Sequence, residues 1–570
     1  MSTYHRGAQG PALTKRRIAT SVAAALAATF AAGGALAFEI DTGNPDLTIR
    51  WDNTVRFNLG VRVESRDDKI GNSALSDEGT YSFDSGDLVA ARFDLLSELD
   101  VVFRKRHGLR LSAAGWYDAA YDGTSHSNPN LPFRNIPSYV NNQYSDYTKR
   151  FYRGPSGEIL DAFVFSGFDV GPVPTSIKAG RHSLYWGESL FLNGNLNGIA
   201  YAQNPLDLQK GFATPGVEAK ELFRPLNQLS AQAQVTDDLS IAAQYLLEWE
   251  SFRYPEGGTY LGPVDFAFNG PNRQFLPQPG LGFAQRGNPV EPDQSGEWGL
   301  SARWSPQWLD GTLGLYYRNF ADKLPQTFLT QVAPANNSRY NLIYADNIDL
   351  WGVSFAKNVY GVSVGAELSY RQNTPLNSQL LGVSPGLPNE GETKGPRGNT
   401  LHGLVNGLGL IPRTPVFDTA TYAAELVWAH WTSVNSGANL FSAEGFAPCK
   451  APFVPRDKSD GCTTRDYVGI GLAFTPTWFQ VFPGVDLSAP VTYSRGLSGN
   501  APTIFGGNQD NGSYSIGVAA DIFQKYRVDL KYIDYYGKYK DNGTAWTTVN
   551  GFTTLLEDRG FISLTLKATF

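Results

Sequence analysis

From Leu47 to Val63 the side chains alternate. The odd positions are Leu47, Ile49, Trp51, Asn53, Val55, Phe57, Leu59, Val61 and Val63, eight of nine apolar. The even positions are Thr48, Arg50, Asp52, Thr54, Arg56, Asn58, Gly60 and Arg62, which hold four charges and no large apolar residue. Successive side chains of a strand point to opposite faces, so this window predicts a strand with one apolar and one polar face. At 17 residues it exceeds the usual globular strand of about 5–6. A sandwich strand exposed on one face has the same pattern, so this window alone leaves both architectures open.

The same device recurs along the chain. Strands are predicted at Phe93–Phe103, Leu109–Tyr121, Ile159–Asp169, Thr175–Trp186, Leu229–Val235, Leu239–Trp249, Trp298–Trp304 and Thr312–Phe320. They continue at Asp349–Phe355, Val362–Tyr370, Thr419–Val434, Val468–Phe474, Val485–Tyr493, Tyr514–Ile522, Tyr526–Tyr536 and Phe561–Phe570. Short turns, such as Val170 to Pro174, alternate with long polar or Pro/Gly-rich stretches, such as Asp122 to Gly157 and Ser251 to Gly296. That asymmetry belongs to transmembrane barrels, with short periplasmic turns and long extracellular loops. These are 17 strands, and single-chain bacterial barrels have even numbers. With Cys449 and Cys462 in an extracellular loop, one inward strand is missing before Thr419. Asn399–Leu410 is the candidate, which gives an all-β antiparallel barrel of about 18 strands, with 16 as the fallback.

Export to a membrane fits the first 37 residues. Lys15, Arg16 and Arg17 precede an uncharged run from Ile18 that ends in Ala35-Leu36-Ala37, the pattern of a secretory signal peptide. The run Ile18 to Phe38 is also long enough for a membrane anchor, but its Ala/Gly richness and A-x-A end favour cleavage at Ala37/Phe38. The expected division is a signal peptide at 1–37 and a barrel at 38–570. Cleavage removes Arg6, Lys15, Arg16 and Arg17 from 47 basic residues and leaves 54 acidic ones, a formal charge of −11. Nucleic acid is an improbable partner for so acidic a chain. Mean hydropathy of −0.27 excludes a bundle of membrane helices, and 42% apolar residues with 18% charged exclude disorder. The C-terminal window ends in strand phase on Phe570, like the insertion signal of outer-membrane barrels. Strand one follows the expected cleavage site by about ten residues, which leaves no space for an N-terminal plug, so transport should be passive.

Ordered motifs add a resemblance. The chain reads I-K-A-G-R-H-S-L-Y-W-G-E-S-L-F from Ile177, then Asn204-Pro205-Leu206-Asp207-Leu208, Pro215 to Glu221 as P-G-V-E-A-K-E, and Tyr245 to Glu250 as Y-L-L-E-W-E. Tyr370 to Leu376, the two cysteines, Pro483 to Leu487 and Tyr493-Ser494-Arg495 follow. This series resembles a proteobacterial outer-membrane family catalogued as a domain of unknown function, number thirteen-oh-two, across the mature chain. The resemblance implies a porin-like barrel in the Gram-negative outer membrane, handling hydrophobic compounds alongside envelope transport partners. Its lipid surroundings and the barrel-assembly machinery are implied partners.

In such a barrel the polar phase faces inward. The expected lumen wall is Arg50, Asp52, Arg56, Arg62, Arg92, Asp94, Glu98, Asp100, Arg110 and Asp118. These charges either set a transverse field across a pore or pair with one another. Gly187 to Leu226 is the candidate loop for a constriction, with Arg181, Trp186 and Glu188 at its root; a plain external loop is the alternative. Pro375 to Thr400 is a weaker second candidate. Cys449 and Cys462, an even pair in an exported chain, read as a disulfide.

Catalysis finds little support. Gly361-Val362-Ser363-Val364-Gly365 matches G-x-S-x-G, but that motif needs a strand-to-helix elbow, whereas strand alternation continues through it. His182 and His430 are isolated. The sequence shows no phosphate loop, dinucleotide fingerprint or zinc-ligand cluster, so no cofactor or metal is expected. The expectation is a non-enzymatic channel for small solutes. It would pass polar solutes along the charged wall, or hydrophobic ones along loop aromatics such as Phe266, Phe268, Phe275 and Phe283. A non-conducting surface scaffold is the alternative.

Overall fold

The computed structural model describes residues 38–131, 136–214, 217, 219–379, 382–383, 395–450 and 456–570. The expected signal peptide at 1–37 and half of Pro375 to Thr400 lie outside them.

Eighteen antiparallel strands close into one barrel. They are β1 Leu47–Arg62, β2 Leu88–Phe103, β3 His107–Asp118, β4 Ser156–Val170, β5 Val173–His182 and β6 Leu226–Gln234. Next come β7 Leu239–Leu246, β8 Trp298–Trp304, β9 Thr312–Phe320, β10 Ile348–Val359, β11 Val362–Pro375 and β12 Arg397–Ile411. The last are β13 Thr419–Ser436, β14 Asp466–Phe482, β15 in two halves (Val485–Ser488 and Val491–Ser498), β16 Gly512–Ile522, β17 Tyr526–Tyr536 and β18 Phe561–Thr569. Pro490, which has no N–H to give the ladder, lies at the break in β15. The missing strand is therefore β12, at the position that strand parity requires. β1 and β18 pair from Thr54↔Thr569 to Arg62↔Phe561, and Phe570 extends this seam by exchanging hydrogen bonds with Asn53.

The period-two pattern becomes two surfaces. Leu95, Leu111, Val164, Leu229, Leu300, Leu315, Leu368, Val405, Leu426, Val518 and Leu530 are all exposed, on strands all around the barrel. A closed sheet satisfies its backbone internally and can hold such a band against hydrocarbon. No described helix is long and apolar enough to cross a membrane.

Long connections all leave one end of the barrel. They are L1 (63–87), L2 (119–155), L3 (183–225), L4 (247–297), L5 (321–347), L6 (376–396), L7 (437–465), L8 (499–511) and L9 (537–560). Strands of L4, L5 and L6 form a separate five-stranded sheet at that end. L7 carries the Cys449–Cys462 disulfide, with both residues buried.

Candidate functional site

The charges expected on the wall share one strand phase and are compensated partly by one another and partly by loops. Arg50 pairs with Asp52 at 2.5 Å, and Arg92 with Asp94 at 3.0 Å. Arg110 binds Glu98, Asp100 (3.0 Å) and Asp161 (3.1 Å). Arg62 reaches Asp558 of L9 at 2.9 Å, and Asp118 accepts the Ala91 and Ala120 N–H groups at 2.9 Å. Arg56, 2% exposed, pairs with Glu221 of L3 at 2.7 Å and lies 3.6 Å from Asp94.

That last contact shows where L3 runs. β5 stops at His182, four residues short of the sequence expectation, because the chain leaves the ladder and turns inward. Residues 194–210 are then buried without interruption. Three short helices lie along L3: α1 Leu192–Asn197, α2 Leu208–Ala213 and α3 Ala219–Leu222. Asp207 caps α2 by accepting the Lys210 N–H at 2.9 Å.

Four wall charges hold the backbone of L3. Glu425 on β13 accepts the Leu190 and Phe191 N–H groups at 2.7 and 3.1 Å, at the entry to α1. Glu367 on β11 accepts the N–H groups of Glu188 and, at 2.7 Å, Ile199. Arg371 on β11 donates to the Leu196 and Gly198 carbonyls at 3.2 and 2.8 Å, where α1 ends. Arg318 on β9 donates to the Ile199 and Tyr201 carbonyls at 3.0 and 2.6 Å. Carboxylates at the N-terminal end of a helix and guanidinium groups at its C-terminal end match the orphan backbone groups there. Arg56 on β1 is eight strands from both β9 and β11 in the ring of eighteen, so L3 crosses the interior from one side to the other.

The wall also makes room for the loop. A Cβ at Gly299 would sit 2.9 Å from the Trp186 ring, and one at Gly352 would sit 2.7 Å from Ile199. Only glycine permits these close approaches. Trp186 is 9% exposed and packs on Tyr316, and the Glu188 carboxylate lies 3.2 Å from Ser354 Oγ. Arg181 sits elsewhere: it shares the outward phase with Ala179 and Leu229 and binds Glu248 and Glu250 at 2.7 and 2.9 Å.

L4 joins L3 from above, and nothing in the strand pattern anticipated this. Residues 252–266 are continuously buried. Arg253 pairs with Asp207 of L3 at 3.0 Å and Glu158 at 2.6 Å, while its carbonyl accepts the Leu208 N–H. Trp186, Ile199 and Tyr201 of L3 share a core with Phe252, Tyr254 and Phe268 of L4 and with Phe320 of β9. The aromatic series Trp249, Phe252, Tyr254, Tyr260, Phe266 and Phe268 is the sequence signal for this burial, in a loop that otherwise reads as Pro/Gly-rich. The four aromatics expected to line a hydrophobic route are mostly used in packing. Phe266, Phe268 and Phe275 are buried, and Phe283 lies under the Arg273 guanidinium.

Beside the septum L1 and L4 bury a carboxyl cluster. Asp265 accepts the Glu78 N–H at 3.2 Å, Glu78 accepts Ser138 Oγ at 2.6 Å, and Asp77 accepts the Asn128 N–H at 2.7 Å. Burial and mutual repulsion push Asp77 up to about 9 and Glu78 to about 8. Burial pushes Asp265 to about 6, and Glu256 nearby in sequence to about 8.

Ser363 lies within β11 on the phase of Glu367, with no elbow. His182 contacts the Gly180 carbonyl and Ser230 Oγ, with no carboxylate on either nitrogen among the described residues. Asp457 and Asp460 form a helix capping box, and no metal-ligating group of three occurs among the described residues.

A family model described as "Protein of unknown function (DUF1302)" matches residues 18–570. The chain belongs to this family. No curated protein matches it. Solved structures similar to it include OccAB4 of Acinetobacter baumannii, at 10% identity and a TM-score of 0.39, covering 92% of this chain and 100% of that one. OpdK of Pseudomonas aeruginosa, solved with vanillate, has 10% identity, a TM-score of 0.38 and coverage of 92% and 98%. The outer membrane channel DcaP of A. baumannii has 8% identity, a TM-score of 0.36 and coverage of 94% and 100%.

Proposed function

We propose that this protein is a passive channel of the Gram-negative outer membrane, admitting small solutes past a constriction formed by L3. The observation that carries the reading is the grip on L3 by Glu367, Glu425, Arg318 and Arg371, with Glu221 meeting Arg56 on the far side. A loop fixed across a lumen of 18 strands narrows it without needing a separate domain. In this reading the long-loop end is extracellular, segment 1–37 is removed at Ala37/Phe38, and Phe570 at the β1–β18 seam serves insertion by the barrel-assembly machinery. Envelope transport partners would meet the short-turn end.

Planar-bilayer recording of the mature protein tests this. A stable ohmic step is expected, and it should grow when L3 is released by Glu367→Ala with Glu425→Ala. Absence of conductance in both proteins would overturn the channel and leave the non-conducting scaffold.

A further inference from the structure

At the junction of L2, L3 and L4 lies an open cleft of about 560 Å³. Its wall is mostly polar and concentrates Arg150, Arg181, Arg224, Arg253 and Arg286, against Glu158, Glu250 and Glu291. In a chain of net charge −7 this is a local reversal of sign. Two of the carboxylates are already committed: Glu158 to Arg253 at 2.6 Å, and Glu250 to Arg181 and Arg224. Arg150 and Arg286 make no ion pair among the described residues. Arg150 is exposed beside the Phe151 ring, and Arg286 donates only its Nε, to the Pro271 carbonyl at 2.7 Å.

Two further donors at the cleft are unused. Trp249 is 3% exposed and its indole N–H has no partner, and the buried Arg181 Nε also has none. A buried donor left without an acceptor is destabilising, so natural structures rarely tolerate one without reason. Among the described residues the unpaired charges here are cations, apart from Glu291, and the unmatched buried N–H groups are donors. The volume falls in the range of small-molecule sites, about 300–1,000 Å³. Arg253 ties the floor of the cleft to Asp207, which caps α2 of the septum.

We propose that this cleft captures a polar organic anion, a carboxylate or phosphate of small-molecule size, before it reaches the L3 constriction. Arg150 and Arg286 supply the unpaired charge, and the Trp249 N–H supplies a directional donor. This deepens the channel reading and names its substrate class, which differs from a hydrophobic one.

The test uses calorimetric titration of the mature protein in detergent with gluconate, with the neutral polyol sorbitol as its matched control. Gluconate should bind, sorbitol should not, and inorganic phosphate should compete. The Arg150→Gln/Arg286→Gln variant should weaken gluconate at least tenfold, and Trp249→Phe by roughly threefold, as befits one hydrogen bond. Equal binding of sorbitol and gluconate, or an unchanged affinity in the arginine variant, would overturn the proposal. Barrel integrity in each variant is checked by its heat-dependent gel mobility. A wild-type protein that conducts without binding gluconate removes this site and leaves the channel. One that binds gluconate without conducting removes the channel and leaves the site.

Discussion

Opposite sides of the inner wall use their buried charges differently. On β1 to β3 most charges meet charge: Arg56 with Glu221 and Asp94, Arg92 with Asp94, Arg110 with Glu98, Asp100 and Asp161, although Asp118 takes backbone N–H groups and Arg62 also gives to the Thr80 and Phe83 carbonyls. On β9 to β13 charge meets backbone, because Glu367 and Glu425 take N–H groups of L3 while Arg318 and Arg371 give to its carbonyls. Neither Arg318 nor Arg371 has an ion pair among the described residues; the Arg371 guanidinium lies 4.3 Å from the Tyr201 ring. The difference has a physical origin. An ion pair lets long side chains bridge the distance, between strands or out to a loop, whereas gripping a loop's backbone requires space for that backbone against the wall. The inner phase of β1 reads Arg50, Asp52, Thr54, Arg56, Asn58, Gly60, Arg62, and that of β11 reads Ser363, Gly365, Glu367, Ser369, Arg371. Small residues flank each charge on β11, and L3 fills what they leave open.

The largest effect should come from removing the backbone grip. Glu367→Ala with Glu425→Ala strands the N–H groups of Glu188, Leu190, Phe191 and Ile199, at about 1–3 kcal/mol for each that stays dry. L3 should detach, raising single-channel conductance severalfold; unchanged conductance with lowered thermal stability would show that the grip is structural only. Breaking the other side behaves differently. Arg56→Met should cost about 3–5 kcal/mol in urea unfolding by removing the guanidinium that pairs with buried Glu221, while Arg56→Met with Glu221→Met should recover most of it. A double variant as unstable as the single one would mean that the pair is not the unit.

A smaller effect is expected in L7, remote from both sides. Replacing Cys449 and Cys462 by Ser releases a closed loop worth at most about 3 kcal/mol, and the loss should appear as faster proteolysis within 437–465 rather than as altered conductance. The smallest is a pH effect on the carboxyl cluster. Asp77, Glu78 and Asp265 have folded values of about 9, 8 and 6, above unfolded ones of about 4. The folded state therefore binds more protons, and docking of L1 on L4 is strongest at low pH and weakens as pH rises from about 4 to 9. Protection factors over residues 77–81, taken relative to the intrinsic base-catalysed exchange rate at each pH, should fall across that range, and Asp77→Asn with Glu78→Gln should flatten the fall. Arg273 and Arg559, which favour the ionised forms of Glu78 and Asp265, moderate the effect.

Strand reading succeeded where one rule dominates. Tyr526–Tyr536 and Trp298–Trp304 are legible to the residue because a lipid-facing strand must be apolar at every second position. Boundaries failed where tertiary contacts override that rule. Thr175–Trp186 reads as one strand in sequence, yet it breaks after His182 because Trp186 has a better place against Gly299 and Tyr316. The ten charges named from the sequence share one strand phase on β1 to β3 and stand out by their density. The residues that hold the septum occur as single charges among small ones and give no local signal.

Alternation, strand parity and the paired cysteines thus determined a closed 18-strand sheet, its apolar exterior and the disulfide in L7, because these follow from period two and from the need to satisfy every backbone group in lipid. The crossing of L3, its partnership with L4 and the arginine cleft beside them were decided only by the tertiary structure. The crossing depends on residues more than a hundred positions apart in sequence, such as Glu425 with Leu190 or Arg56 with Glu221, and the L3–L4 contacts on pairs some tens apart, such as Asp207 with Arg253, all meeting inside a cavity that exists only once the barrel has closed.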